Sequence, residues 1–215
     1  MIEVIENALP QAILNAARAA WPEPTWSGWH RYKGTTADKY GTLHYSLIPP
    51  ACGEALRQLA SVVGAMLPND CFIDYEYHAA GLHQIPPGGF LGRHLDAEQH
   101  PMRQWERTHS AVLFLDTIPA SKGGELYVEN PYTLIQPKAN RCAVFSTAGA
   151  WHGVHKTDSS APVRRTLALF AWRHSARTDR ATAAVFQENQ NADNHSNRNR
   201  ACCNHGHDYV CGSDR

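Results

Sequence analysis

The sequence has no apolar run longer than the six residues Leu167–Trp172, whereas a helix crossing a bilayer needs about 20, so no membrane partner is expected. It has no excess of charge of either sign: 20 Lys and Arg stand against 20 Asp and Glu. Without a basic field, composition makes no case for a nucleic-acid partner. The opening Met1-Ile2-Glu3-Val4-Ile5-Glu6 has neither the basic stretch nor the apolar stretch of a secretory leader. There is no internal repeat. The six cysteines do not have the density of a small secreted scaffold, because Cys52, Cys71 and Cys142 are scattered while Cys202, Cys203 and Cys211 cluster near the end. A cytoplasmic protein with reduced thiols is the expectation.

What is present is enough apolar material for a core, 43% of 215 residues, and thirteen histidines, the side chain most used to bind metals and carry protons. Ile2 and Val4 alternate with Glu3, as in a short strand. Pro10 suits a helix start, and Ile13, Ala16, Ala17 and Ala20 follow at helical spacing. A second helix is predicted after Pro49-Pro50, with Leu56, Leu59, Ala60, Val63 and Leu67 as its apolar stripe. Between them, residues 21–50 hold Trp21, Trp26, Trp29, Tyr32, Tyr40 and Tyr45 among Pro and Gly. That region reads as loops with short strands, its aromatics either covering the core or walling a cleft.

From Cys71 the pattern changes to short β-branched or aromatic segments separated by turn residues: 71–78, 90–96, 109–116, 124–129, 132–136, 142–146, 151–156 and 164–172. Short strands of this kind predict an antiparallel sandwich or jelly roll, giving an α+β protein with the two helices on one outer face. The expected division is a supporting region over 1–70, a β core over 71–186 and a flexible tail over 187–215. That tail is rich in Asn, and its Cys202, Cys203, His205, His207 and Cys211 match no familiar zinc spacing.

His94 and Asp96 are two apart, so on a strand both side chains point to the same face. A third ligand must come from elsewhere in the chain, and His152 in Ala150-Trp151-His152-Gly153-Val154 is the candidate. Two His and one carboxylate on one side of an octahedral ion leave three positions open, which suits a non-haem Fe(II) oxygenase. His155 is the competitor of His152 but falls on the other face of its strand. His83, His100, His109 and His174 read as structural or surface residues, and Arg103 and Arg107 as members of a polar loop over 97–108, either solvated or at a substrate lip.

Around these residues lie Pro86-Pro87-Gly88-Gly89-Phe90, Gly123-Gly124-Glu125-Leu126, Ile135-Gln136-Pro137, Phe145 and Arg164-Arg165-Thr166. In order and spacing the set resembles the iron(II)/2-oxoglutarate-dependent dioxygenases, particularly the prolyl-4-hydroxylase-like branch, over about residues 71–172. The resemblance implies a double-stranded β-helix and a hydroxylase that consumes 2-oxoglutarate and O2 and releases succinate and CO2, with ascorbate as reductant. It implies Fe(II) on His94, Asp96 and His152. It also implies 2-oxoglutarate held at its far carboxylate by Arg164 and Thr166, which are two apart on the last strand, with Arg165 as the alternative anchor. An unactivated C–H bond of an amino-acid side chain, free or in a peptide, or of a small metabolite is the implied substrate.

Two departures from the family pattern stand out. Ile85 occupies a position where the family often has Tyr, so that hydroxyl is replaced or dispensed with. The interval from His152 to Arg164 is longer than usual, which predicts a loop extension around Asp158–Ala161. The competing readings are a jelly-roll binding module without catalysis and a cupin-type metalloenzyme. The first would be marked by a lost ligand or anchor, and the second by three or four His ligands in place of the H-x-D carboxylate.

Overall fold

The computed structural model describes residues 2–44, 47–75, 81–100 and 102–175, so the segment 187–215, with its Cys and His residues, lies outside the described residues. Contacts divide the chain into Met1–His174 and Ser175–Arg215, and every element named here lies in the first unit. In chain order these are β1 (Ile2–Ile5), α1 (Gln11–Ala19), β2 (His30–Lys33), β3 (Ala37–His44), α2 (Pro50–Gly64), β4 (Phe72–Asp74), β5 (Gly81–Ile85) and β6 (Phe90–His94). Then follow β7 (Trp105–Phe114), β8 (Leu126–Val128), β9 (Thr133–Ile135), β10 (Cys142–Ser146), β11 (His152–Val154) and β12 (Arg164–His174).

Both helices begin where proline presets the backbone. Pro10 precedes α1, and Pro50 occupies the first turn of α2, where its missing N–H breaks no helical bond. α1 buries Leu14 and Ala17, and α2 buries Cys52, Leu56, Leu59, Ala60 and Val63. Leu67 falls beyond the end of α2 and packs on the core only partly buried. No helix among the described residues is long and apolar enough to cross a membrane.

The strands pair antiparallel in one curled sheet of order β1-β10-β7-β12-β5-β3-β6-β11-β8-β9, with β2 on β3 and β4 on β12. The curl brings Tyr40 of β3, His83 of β5, His94 of β6, Ser110 of β7, Leu126 of β8, Phe145 of β10, His152 of β11 and Arg164 of β12 around one cavity. The result is the jelly-roll, double-stranded β-helix expected, with helices on its outer face. Strand alternation separates two cores. The outer one joins Leu43, Leu82, Leu113, Leu167 and Leu169 to the helices. The inner ones hold Phe114, Leu126, Val128, Ala143 and Phe145 in one cluster and Ala37, Tyr40, Ile85 and Val154 in another.

Three stretches differ from the sequence expectation. Within 21–50, β3 runs for eight residues and pairs with both β5 and β6, so this region supplies a full sheet strand. Of its aromatics, Trp29 and Tyr40 are buried while Trp26 and Tyr32 are largely exposed. Of the segment 71–78, Phe72–Asp74 is a strand and 76–78 lie outside the described residues; the strand between β12 and β3 is Gly81–Ile85, whose Gly81 and Gln84 break the apolar pattern. The supposed loop 97–108 already contains the start of β7 at Trp105, so Arg107 is a buried strand residue. The Asp158–Ala161 segment is a tight turn, in which the Ala161 N–H donates to the Asp158 carbonyl over 3.0 Å and the Asp158 carboxylate accepts from the Ser160 N–H over 2.8 Å.

Candidate metal centre

β6 and β11 lie side by side with His94 directly opposite His152. Gly153 permits that approach: a Cβ there would sit 2.7 Å from the Leu91 carbonyl oxygen of β6. Asp96 follows just past the end of β6. Its Oδ1 is 3.9 Å from His94 Nε2 and its Oδ2 is 3.7 Å from His152 Nε2. The three side chains offer ligand atoms all within 4.8 Å of one another. Among the described residues this is the one such group of His, Cys, Asp or Glu.

The imidazole tautomers follow from the backbone. His94 Nδ1 lies 2.9 Å from the Gly92 carbonyl and His152 Nδ1 lies 2.9 Å from the Ala150 carbonyl. A carbonyl oxygen only accepts, so each Nδ1 carries a proton, and in the neutral tautomer this selects, Nε2 is the nitrogen with the lone pair that a metal needs. Burial pushes the His152 imidazolium below its ordinary range, against the pull of Asp96. Burial alone would raise the Asp96 carboxyl, but His152, Arg107 and the Ser110 hydrogen bond together hold it below its ordinary value. Ser110 Oγ donates to Oδ2 over 2.6 Å and Arg107 Nη1 lies 3.2 Å from Oδ1. Two imidazoles presenting Nε2 and one carboxylate form a donor set that suits a divalent ion of the first transition row.

At the far end of the same cavity, of about 100 Å³, lie Arg164 and Thr166. In register, Thr42, His83 and Thr166 share one row across β3, β5 and β12, and Gly41, Gln84 and Arg165 the next. Alternation therefore sends Arg164 and Thr166 inward and Arg165 outward. Arg165 binds Asp116 through two hydrogen bonds of 2.7 and 2.8 Å and lines a separate outer cleft. Arg164 donates from Nε to the Gly124 carbonyl over 2.9 Å, a carbonyl aimed by the left-handed turn at Gly123 and Gly124 (φ 68° and 83°). Its Nη2 and the Thr166 hydroxyl are buried with no hydrogen-bond partner. Burial pushes the Arg164 guanidinium down to about 10, leaving it cationic at neutral pH.

Sequence reasoning assigns no definite site role to four residues here, although it allows Arg107 either a solvated place or one at a substrate lip and Tyr40 a place among aromatics that either cover the core or wall a cleft. Tyr40 is buried with its hydroxyl 2.8 Å from His83 Nδ1, so His83, expected to be structural or surface, lines the cavity instead. Ser110 and Arg107 hold Asp96. None of these gave a sequence signal, because only the β3–β5–β12 register and the β7 boundary bring them in. His155 pairs instead with Glu125, 3.4 Å away, outside the cavity.

Residues 80–174 match the family model described as the 2OG-Fe(II) oxygenase superfamily. This segment is similar to that superfamily. The match spans less than half of the chain and supports a 2-oxoglutarate-dependent oxygenase, with Fe(II) and 2-oxoglutarate the metal and cosubstrate the family implies. Among solved structures, a prolyl-4-hydroxylase from Pseudomonas putida is similar at 21% identity and TM-score 0.58, over 81% of this chain and 92% of that one. A 2OG-Fe(II) oxygenase family oxidoreductase from Burkholderia pseudomallei is 22% identical with TM-score 0.54, over 81% and 86%. The non-heme alpha ketoglutarate dependent carbocyclase SnoK of nogalamycin biosynthesis is 14% identical with TM-score 0.61, over 85% of each chain. At these identities the neighbours share the fold, and their named reactions already differ. No curated protein matches the chain at a significant level.

Proposed function

We propose that the chain hydroxylates an unactivated C–H bond of an amino-acid side chain or small metabolite, with Fe(II) on His94, Asp96 and His152 and with 2-oxoglutarate anchored by Arg164 and Thr166. One observation carries the reading: two buried donors without partners, Arg164 Nη2 and Thr166 Oγ1, share a cavity with three convergent metal-ligand side chains. Buried polar atoms are normally satisfied, and a cation beside a hydroxyl calls for an anionic acceptor. A dicarboxylate spanning from the ligands to Arg164 satisfies both.

Bound Fe(II), with 2-oxoglutarate, supplies the oxygen chemistry that yields succinate, CO2 and a hydroxylated product. The chain's residues position and shield. The Gly92 and Ala150 carbonyls hold the two imidazoles with Nε2 facing inward. Ser110 and Arg107 hold the Asp96 carboxylate from both oxygens. Gly124 fixes the Arg164 head. Val112, Leu126, Phe145 and Ala168 make the remaining walls apolar, which keeps water from competing. Cys52, Cys71 and Cys142 are free thiols, in keeping with the cytoplasmic location we assign.

The test has two arms. With Mn(II) in place of iron, 2-oxoglutarate should raise the melting temperature, because a ligand that binds only the folded state stabilises it. With Fe(II), ascorbate and lysate, the protein should form succinate and a product heavier by one oxygen atom. Iron-dependent succinate formation that survives His94→Ala would overturn the assignment of the ligands.

A further inference from the structure

On the open side of His94 and Asp96 lies a groove of about 620 Å³, walled by His30, Tyr32, Tyr40 and Leu95 and reaching Arg107. Its walls are largely apolar and aromatic, which makes the charge at its inner end conspicuous. The Arg107 guanidinium lies 3.9 Å from the Phe170 ring centre and 4.9 Å from that of Trp172. Only 5% of the Arg107 side chain is exposed, and its Nε is buried without a partner. Among the described residues its one carboxylate partner is Asp96. The other arginine of the groove, Arg93, already has a counter-ion in Glu129, bound through hydrogen bonds of 2.9 and 2.8 Å.

The Asp96 charge is thereby claimed twice once the ligand assignment above is accepted, on which this inference rests. A single carboxylate cannot fully balance both a divalent ion and a buried guanidinium, and a buried charge without compensation is costly. The 2-oxoglutarate carboxylates are committed to the metal and to Arg164. Neutralising Arg107 is left to whatever occupies the groove. With aromatic rings against it, the guanidinium offers its edges, and the in-plane N–H groups of that edge suit a planar carboxylate.

We propose that Arg107 recognises a free carboxylate on the substrate, so that the substrate is a carboxyl-bearing amino acid or chain terminus and not an internal peptide residue. The probe set is the twenty free L-amino acids, each beside its carboxamide, added to protein loaded with Mn(II) and 2-oxoglutarate. At least one acid should bind at least about tenfold more tightly than its amide, as expected for hydrogen bonds to a charged group. The N-acetyl form of that acid then separates a free amino acid, which acetylation weakens, from a chain terminus, which it does not.

Arg107→Gln should bring the acid-to-amide ratio close to one, and Arg107→Lys should keep part of it. A role confined to holding Asp96 would weaken both members of a pair equally and leave the ratio unmoved. If Arg107→Gln fails to fold, the wild-type ratios and Arg107→Lys still decide. No acid outperforming its amide, including binding by none, overturns the proposal, as does an unchanged ratio in Arg107→Gln. Failure of 2-oxoglutarate to stabilise the Mn(II)-loaded wild type would instead sink the ligand assignment itself.

Discussion

β12 stands between two interiors of opposite character. On its outer side Leu167 and Leu169 are fully buried among Leu43, Leu82, Leu113 and the two helices. On its inner side Arg164 and Thr166 are just as buried, yet they present a guanidinium nitrogen and a hydroxyl with nothing to bond. Neighbouring β7 repeats the division: Leu113 faces out to the helices while Ser110 faces in to Asp96. The outward leucines add to stability by the ordinary removal of apolar surface from water. Inward, the unpartnered groups of Arg164 and Thr166 oppose burial, a cost that the proposed ligand would offset. The sheet is thus a partition, with one side stabilising the fold and the other holding the proposed site.

The hardest blow to the outer side is Leu167→Ala. It should cost about 2–5 kcal/mol in urea unfolding, the range for removing a fully buried leucine. The variant should nevertheless retain the rise in melting temperature that 2-oxoglutarate gives in Mn(II). A folded Leu167→Ala protein that lost this response would show that the two sides are not separable.

The inner side should behave in reverse. Arg164→Met removes a buried charge with no carboxylate beside it, and such replacements are often neutral or stabilising, by about 1–4 kcal/mol. Its unfolding free energy without ligands should therefore hold or rise. Its stabilisation by 2-oxoglutarate, about 2.7 kcal/mol at a hundredfold excess over Kd, should vanish. Thr166→Val is the graded version: losing one hydroxyl bond to a carboxylate weakens binding by about 1.5–3 kcal/mol. Calorimetric titration of the Mn(II) form should rank wild type first, then Thr166→Val, then Arg164→Met.

The same partition explains what could be read in advance. Outer residues repeat at helix or strand period, so both helices, their buried faces and most short strands were legible, as was the jelly-roll class. That His94, Asp96 and His152 converge was legible because a His and an Asp two apart on a strand form a local pattern that asks for one distant partner. β5 was not, since Gly81 and Gln84 interrupt its apolar alternation although it lies buried between two strands. Arg107, Tyr40 and His83 were not, because each looks like an ordinary polar or aromatic residue until the register turns it inward. What a sequence hides here is long-range pairing, and the groove and the far end of the cavity are made of it.

The smallest effect expected is also the most selective, a dependence on acid. Burial holds the His152 imidazolium below its ordinary value, so as pH falls through the unfolded value, about 6.5, the unfolded chain takes up a proton that the folded protein resists. Stability present above that pH is then lost, with a slope of at most about 1.4 kcal/mol per pH unit for one proton. Asp96, also held low, adds a loss of the same sign in the carboxylate range. Buried His100 and half-buried His109 act in the same direction as His152, so His152→Asn should flatten the limb between pH 7 and 5 without abolishing it. Leu167→Ala should lower the whole curve and leave its slope intact. Measured in chelator by urea unfolding across that range, parallel curves for wild type and His152→Asn would place the acid sensitivity outside the inner face. Convergence of the two toward low pH would assign part of it to the His152 imidazole, which faces both Asp96 and the cavity.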